Sequence, residues 1–300
     1  MALCSLSALG GSDERIRAFT QAYVVRLSPL PSDEPAPIVD WQSHTGEPRS
    51  FLGLVRFFLG ELTQKGRSAV LQALIPKLLP SLRAHAFHGI IRVAYAVRFD
   101  TGDEELAHGL AYWVTGVEPE IPLVLDDTPR HRDPRALFDE VRRSRLGAAP
   151  QRAPLITDRM RQVAGRAGFA EACASLSSIE QNMPRIVEVL LRAFIASGDF
   201  TALHGVTGSH AFRVLDGYLG DRDLAHRHLM QALMASYVVA GVPDLGVPPR
   251  SSAPSWDALA EIACGRDDDH DVKLVDSARE EDRHYCEPLA RAAAARRLGV

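Results

Sequence analysis

Eleven histidines and three lysines carry most of the chemistry available to this 300-residue chain. Of its 34 lysines and arginines, only Lys65, Lys77 and Lys273 are lysine. A chain this biased is expected to use arginine for ordinary surface cations. Arginine keeps its proton in proteins, whereas a buried or paired lysine amine can lose it. Lys273 sits in Asp267-Asp-Asp-His270-Asp-Val-Lys273-Leu-Val. A neutral amine there can act as a base, form a Schiff base, or take up carbon dioxide to become a carbamate, a carboxylate-like metal ligand. His270 lies three residues before it, on the same face of a helix. The plainer alternative is a solvated lysine following an acidic helix cap.

Two further clusters stand out. His85 and His88 fall at i and i+3 in Arg83-Ala-His-Ala-Phe-His-Gly-Ile-Ile-Arg92-Val-Ala-Tyr95, which puts two imidazoles on one face of an otherwise apolar helix. A polar ring there needs a partner, and a backbone carbonyl in the core would serve. In Leu203-His204-Gly-Val-Thr-Gly-Ser-His210-Ala-Phe-Arg213, six residues set the two rings about 120° apart on an ideal helix. They converge only if Gly205 or Gly208 lets the helix bend. Glycine inside a helix costs about 1 kcal/mol, so two of them signal a site, a close approach or a loosened helix contact. Together His88, His204, His210, His270 and Lys273 make a nitrogen-rich set on three helical segments. Bundles build metal sites in this way, and imidazoles suit iron, zinc, copper and nickel. The other histidines carry weaker signals: His44 in a loop, His108 and His131 near polar surface, His226 and His228 pointing apart, and His284 among charges.

The elements that must position these residues read as helices. Apolar stripes of helical period span 13–26, 51–63, 70–79, 81–98, 104–114, 136–146, 156–164, 171–197, 200–219, 221–239, 256–265 and 270–295. Ser12 is the expected cap of the first, and a Pro-rich loop covers 29–37. Alternation of period two is scarce. The expectation is an all-α, single-domain multi-helix bundle over residues 1–300, with a hinge or loop at 118–135. Its apolar faces leave homodimer formation open.

The bulk numbers exclude several classes. A net charge of −4 gives no basic field for nucleic acid. No charge-free apolar run reaches about 18 residues, so no membrane span is expected, and the N-terminus reads as a core helix, not a signal peptide. Four widely spaced cysteines form no CxxC pair, which points to a reducing cytoplasm. Phosphate-loop, dinucleotide, HExxH and GxSxG signatures are missing.

Several blocks resemble the questin oxidase family. They are Ala86-Phe-His-Gly-Ile-Ile-Arg92-Val-Ala-Tyr95-Ala-Val, Glu105-Leu-Ala-His-Gly-Leu-Ala-Tyr112-Trp, Thr201-Ala-Leu-His204-Gly-Val-Thr-Gly-Ser-His210-Ala-Phe-Arg213 and Asp269-His270-Asp-Val-Lys273-Leu-Val, in order over nearly the whole chain. The resemblance implies an all-helical, metal-dependent oxygenase that inserts oxygen into, or cleaves, a carbon–carbon bond of a quinone or aromatic polyketide-like molecule. It implies a non-haem iron held by histidines and a carbamylated lysine, with dioxygen as co-substrate and NADPH as reductant. By block, His88, His204 and His210 would be ligands, Lys273 the modified lysine, and His270 a ligand or the partner that orients one. Arg92 and Tyr95 are the candidate catalytic residues toward substrate, and Phe87, Tyr112 and Trp113 candidate pocket aromatics. Family members carry an Asn-His pair just before the segment with which this chain begins. A further ligand is therefore expected upstream of Met1 or lost, with His44 a candidate substitute. The alternatives are a catalytically inactive helical binding or scaffold protein, and a metal-free hydrolase or zinc enzyme using the same histidines.

Overall fold

The computed structural model describes residues 1–27, 29, 36–126, 128–148, 153–246 and 253–300. Among them are sixteen α-helices and no strand, so the all-α expectation holds. In chain order these are α1 (Ala2–Ala8), α2 (Asp13–Val24), α3 (Phe51–Lys65), α4 (Arg67–Leu78), α5 (His88–Arg98), α6 (Asp103–Thr115), α7 (Pro134–Arg143), α8 (Arg145–Ala148), α9 (Ile156–Ala164), α10 (Phe169–Ala174), α11 (Met183–Ser197), α12 (Phe200–Val214), α13 (Arg222–Val239), α14 (Trp256–Cys264), α15 (Asp269–Tyr285) and α16 (Leu289–Leu298). They gather into two compact units, residues 1–34 with 247–300, and residues 35–246. The stretch 118–135 lies inside the second. There Glu118 pairs with Arg83 and Arg161, and His131 exchanges backbone hydrogen bonds with Ser175 and Ser177. Much of the Pro-rich loop expected at 29–37 lies outside the described residues.

The terminal unit joins both chain ends. Leu6, Leu9, Phe19, Leu259, Ala263, Val272, Val275, Ala294 and Leu298 form its core. Its helices start where the caps dictate. The Ser12 hydroxyl accepts from the Arg15 N–H, Ser255 from Ala258, and Asp268 from His270. The helical pattern expected over 270–295 is interrupted: α15 ends with Cys286 in the left-handed conformation, and Pro288 then opens α16.

In the larger unit α12 is the central element, packed by α5, α11 and α13. Every residue from Thr201 to Phe212 is buried. A helix apolar on one face only could not survive this; here the polar side chains turn back onto their own backbone. Ser209 donates to the Val206 carbonyl at 2.9 Å, and Asp199 caps the start through the Thr201 and Ala202 N–H groups. α12 runs unbroken through Gly205 and Gly208, so these glycines do not bend it toward a His204–His210 convergence. They serve close approach instead. A Cβ on Gly208 would stand 2.5 Å from Phe87 Cδ1, and one on Gly205 would stand 2.9 Å from the Ser236 hydroxyl.

The largest departure from the expected pattern is at 81–98. The segment is not one helix. Residues 79–81 and 84–87 are short 3-10 turns, and α5 begins only at His88. His85, Ala86 and Phe87 all have positive φ (49°, 52° and 67°). A left-handed residue other than glycine costs about 1–2 kcal/mol, so packing must hold this turn in place. Phe87 is fully buried and seats on Gly208.

Gly208→Ala tests that seat. Helix propensity alone favours alanine there by about 1 kcal/mol. The overlap with Phe87 predicts the opposite sign, a loss of about 1–3 kcal/mol, read by denaturant or thermal unfolding. A variant as stable as the parent or more so would show that Phe87 does not depend on the seat.

Candidate metal centre

The left-handed turn delivers His88 to the N-terminal end of α5, and α12 carries His204 through the centre of the same unit. The His88 Nδ1 lies 2.6 Å from the His85 carbonyl, and the His204 Nδ1 lies 2.7 Å from the Phe200 carbonyl. A carbonyl only accepts, so each Nδ1 must be the protonated nitrogen. In the neutral rings both Nε2 atoms therefore carry a lone pair. These two Nε2 atoms face each other at 3.4 Å, with ring centroids 4.7 Å apart. Two lone pairs so placed repel unless a proton or a cation lies between them. His204 is 1 % exposed, which leaves little water to screen that repulsion. Phe200 meets the His204 ring edge-on and helps fix its plane.

His210 is not brought to this pair. Six residues further along α12, its Nε2 lies 3.4 Å from an Arg98 guanidinium nitrogen and its Nδ1 lies 3.2 Å from Arg213. Arg92 donates two hydrogen bonds to the Glu105 carboxylate, at 2.8 and 3.0 Å, so its fork is held by its own chain. Tyr95 is buried on α5 beside Phe99. Of the expected pocket aromatics, Phe87 and Trp113 are fully buried core, and the Trp113 indole donates to the Ser81 carbonyl. Tyr112 stacks on His85 at 4.3 Å between ring centroids. Burial pushes the Tyr112 hydroxyl above its usual range, with Arg92 offsetting part of this. His44, the candidate substitute ligand, bonds Ser50 at 2.9 Å and lies 3.4 Å from Glu47.

The terminal unit carries His270 and Lys273 on the first turns of α15. Lys273 is 6 % exposed, so it is not a solvated lysine. Its Nζ forms a 2.6 Å ion pair with Asp269 one turn back. The His270 Nδ1 lies 3.1 Å from Asp268 and 3.3 Å from Asp269. A carboxylate on one ring nitrogen fixes the ring's orientation, the arrangement common around metal-binding histidines. Asp268, Asp269 and His270 form a compact group of ligand-type side chains. Burial pushes the Asp269 carboxyl up, but the hydrogen bond from His270 and the Lys273 ammonium hold it well below the usual carboxylate range.

Sequence reasoning missed Asp269, although its i,i+4 spacing to Lys273 is the readable sign of a helical ion pair. It also missed the left-handed turn. His226 and His228, read as weak, are both buried, and burial holds the His228 imidazole below its usual range.

The chain belongs to the questin oxidase-like family, whose sequence model matches residues 1–278. No curated protein matches it. The family points to an oxidase or oxygenase acting on an aromatic substrate. Among the described residues, no helix is long and apolar enough to cross a membrane.

Asp269 makes acid stability a direct check. Its carboxyl is depressed in the folded chain, so the unfolded chain binds the extra proton. The stabilisation is full above about pH 5 and falls away as pH drops through the unfolded carboxyl's range near about 4 and below. Asp269→Asn should cost about 3–5 kcal/mol at neutral pH and show a shallower loss of stability between about pH 5 and 2. Parallel pH profiles for the two proteins would refute the assignment.

Proposed function

We propose that this protein is a metal-dependent oxygenase that inserts oxygen into, or cleaves, a carbon–carbon bond of a quinone or aromatic polyketide-like molecule. Family membership supports the coarser part of this reading, an oxidase or oxygenase acting on an aromatic substrate. The observation that supports a metal is the pair of Nε2 atoms turned toward each other while both Nδ1 atoms bind carbonyls. One ion bonded to two imidazoles at about 2.1 Å separates the nitrogens by about 3.0 Å at octahedral and about 3.4 Å at tetrahedral angles. The observed 3.4 Å fits that range.

His88 and His204 are the proposed core of the donor set, and the resemblance adds His270 and Lys273. His210 is left out of this core; its ring lies beside the Arg98 and Arg213 guanidiniums, and its one lone-pair nitrogen accepts from one of them. The proposed metal is non-haem iron, which imidazole donors suit; when bound it supplies activation of dioxygen. A carbamate on Lys273 would put a second negative charge beside Asp269, an arrangement that favours a cation close by. The protein's own share is to fix the two ring tautomers and to bury His204. A role for Arg92 toward substrate requires a substrate oxygen to replace Glu105. NADPH is the proposed reductant, taken from solution, since no dinucleotide motif is present in the sequence. All four cysteines are free, which suits the reducing cytoplasm proposed as its compartment.

Elemental analysis and oxygen uptake test this reading. We expect about one iron per chain, with metal retention lowered by more than about 100-fold in His88→Ala and His204→Ala, at unchanged helical content. Lys273→Arg keeps a cation beside Asp269 but cannot form a carbamate. Retention of metal and oxygen uptake in that variant would remove Lys273 from the set. Absence of metal from the parent protein would leave a helical binding protein as the reading.

A further inference from the structure

The proposed function uses His88 and His204 and leaves unexplained why the chain turns left-handed through three successive non-glycine residues just before His88. Two rings of that turn are held by glycines far away in sequence. Phe87 seats on Gly208 of α12. The His85 ring lies flat on Tyr112, 4.3 Å between centroids and 19° between planes, and a Cβ on Gly116 would overlap it. Gly116 itself has φ −99°, a conformation open to any residue. What demands glycine there is therefore the space taken by the His85 ring. The backbone that this ring holds ends in the carbonyl that accepts the His88 Nδ1 proton. In a regular helix through 81–98, that carbonyl would instead be aligned along the helix axis, facing the N–H four residues on.

We propose that His85 is a positioning residue. Its ring, clamped between Tyr112 and Gly116, holds the left-handed turn whose carbonyl fixes the tautomer of His88 and so aims the His88 Nε2 at His204. The imidazole of His85 supplies shape, stacking and a hydrogen bond with the Tyr112 backbone, and takes no part in binding a metal. Burial holds it below its ordinary range, with Glu118 offsetting part of this, which is consistent with a neutral ring packed as an aromatic. The inference rests on the metal reading only in its consequence for affinity; the tautomer claim stands apart from it.

The experiment is nitrogen-15 NMR of histidine-labelled, metal-free full-length protein at about pH 8, combined with cobalt(II) titration. In the parent protein, the His88 signals should show one tautomer, Nδ1 protonated and Nε2 bare. Gly116→Ala removes the seat, and His85→Ala removes the ring. In both, we expect the His88 pattern to become averaged between tautomers and cobalt affinity to fall by about 10–100-fold, the usual effect of losing the group that orients a ligand. His85→Phe keeps the stacked ring and should restore the single tautomer and affinity within about threefold; it also serves if Gly116→Ala does not fold. An unchanged His88 pattern in folded Gly116→Ala and His85→Ala would overturn the proposal. So would a His85→Phe protein that keeps the tautomer but loses cobalt, because the imidazole itself would then be a ligand. If no variant nor the parent binds cobalt, while the tautomer is locked in the parent and released in Gly116→Ala, the positioning role stands and the metal reading falls.

Discussion

Two backbone carbonyls organise this protein's candidate site. By accepting the Nδ1 protons of His88 and His204, they leave the remaining nitrogens facing one another inside the larger unit. Each carbonyl is available for a different structural reason. Phe200 lies in the first turn of α12, and its carbonyl is reached by a side chain one turn later. The His85 carbonyl is freed by a turn of the wrong hand. A histidine pair arranged this way is unfavourable without a positive charge between the rings, so the fold holds an electrostatic demand in place through rigid, buried elements.

That demand explains the cost accepted elsewhere. Left-handed alanine and phenylalanine are costly, and a helix buried on all sides must absorb five polar side chains between Thr201 and His210. The compensation is close packing: rings of the turn lie on glycines of α6's end and α12, where any side chain would intrude. In the terminal unit, the same economy of charge recurs. Asp268 caps α15 and faces the His270 ring, and Asp269 serves both His270 and Lys273. One acidic turn thus starts the helix, orients an imidazole and balances a buried ammonium.

Much of the helical architecture was legible because it rests on local signals. Ser12 before an apolar stripe placed α2, and the glycine at 66 separates α3 from α4 where two stripes meet. The turn at 85–87 was not legible, since Ala-His-Ala-Phe-His has the composition of a helix and its conformation is imposed from Gly116 and Gly208. The only sign was glycine at those distant positions, and Gly208 was read as a close approach, a site or a loosened helix contact without its partner, Phe87, being identified. His88 and His204 were identifiable as candidate site residues by type and setting, whereas six-residue spacing converges His204 and His210 only if the helix bends, and α12 is unbroken. The rarity of lysine singled out Lys273, and burial bears out that it is no ordinary surface cation. What rarity could not give was its partner, which follows from helical geometry at Asp269.

The measurement that bears most directly on the central claim is an anomalous-scattering map at the iron edge from crystals of the protein grown with iron(II) under anaerobic conditions. The account predicts a single strong peak within about 2.0–2.2 Å of both the His88 and His204 Nε2 atoms, with their Nδ1 atoms still on the His85 and Phe200 carbonyls. A pair of rings still 3.4 Å apart with no peak between them, or a peak bound by other residues, would contradict it.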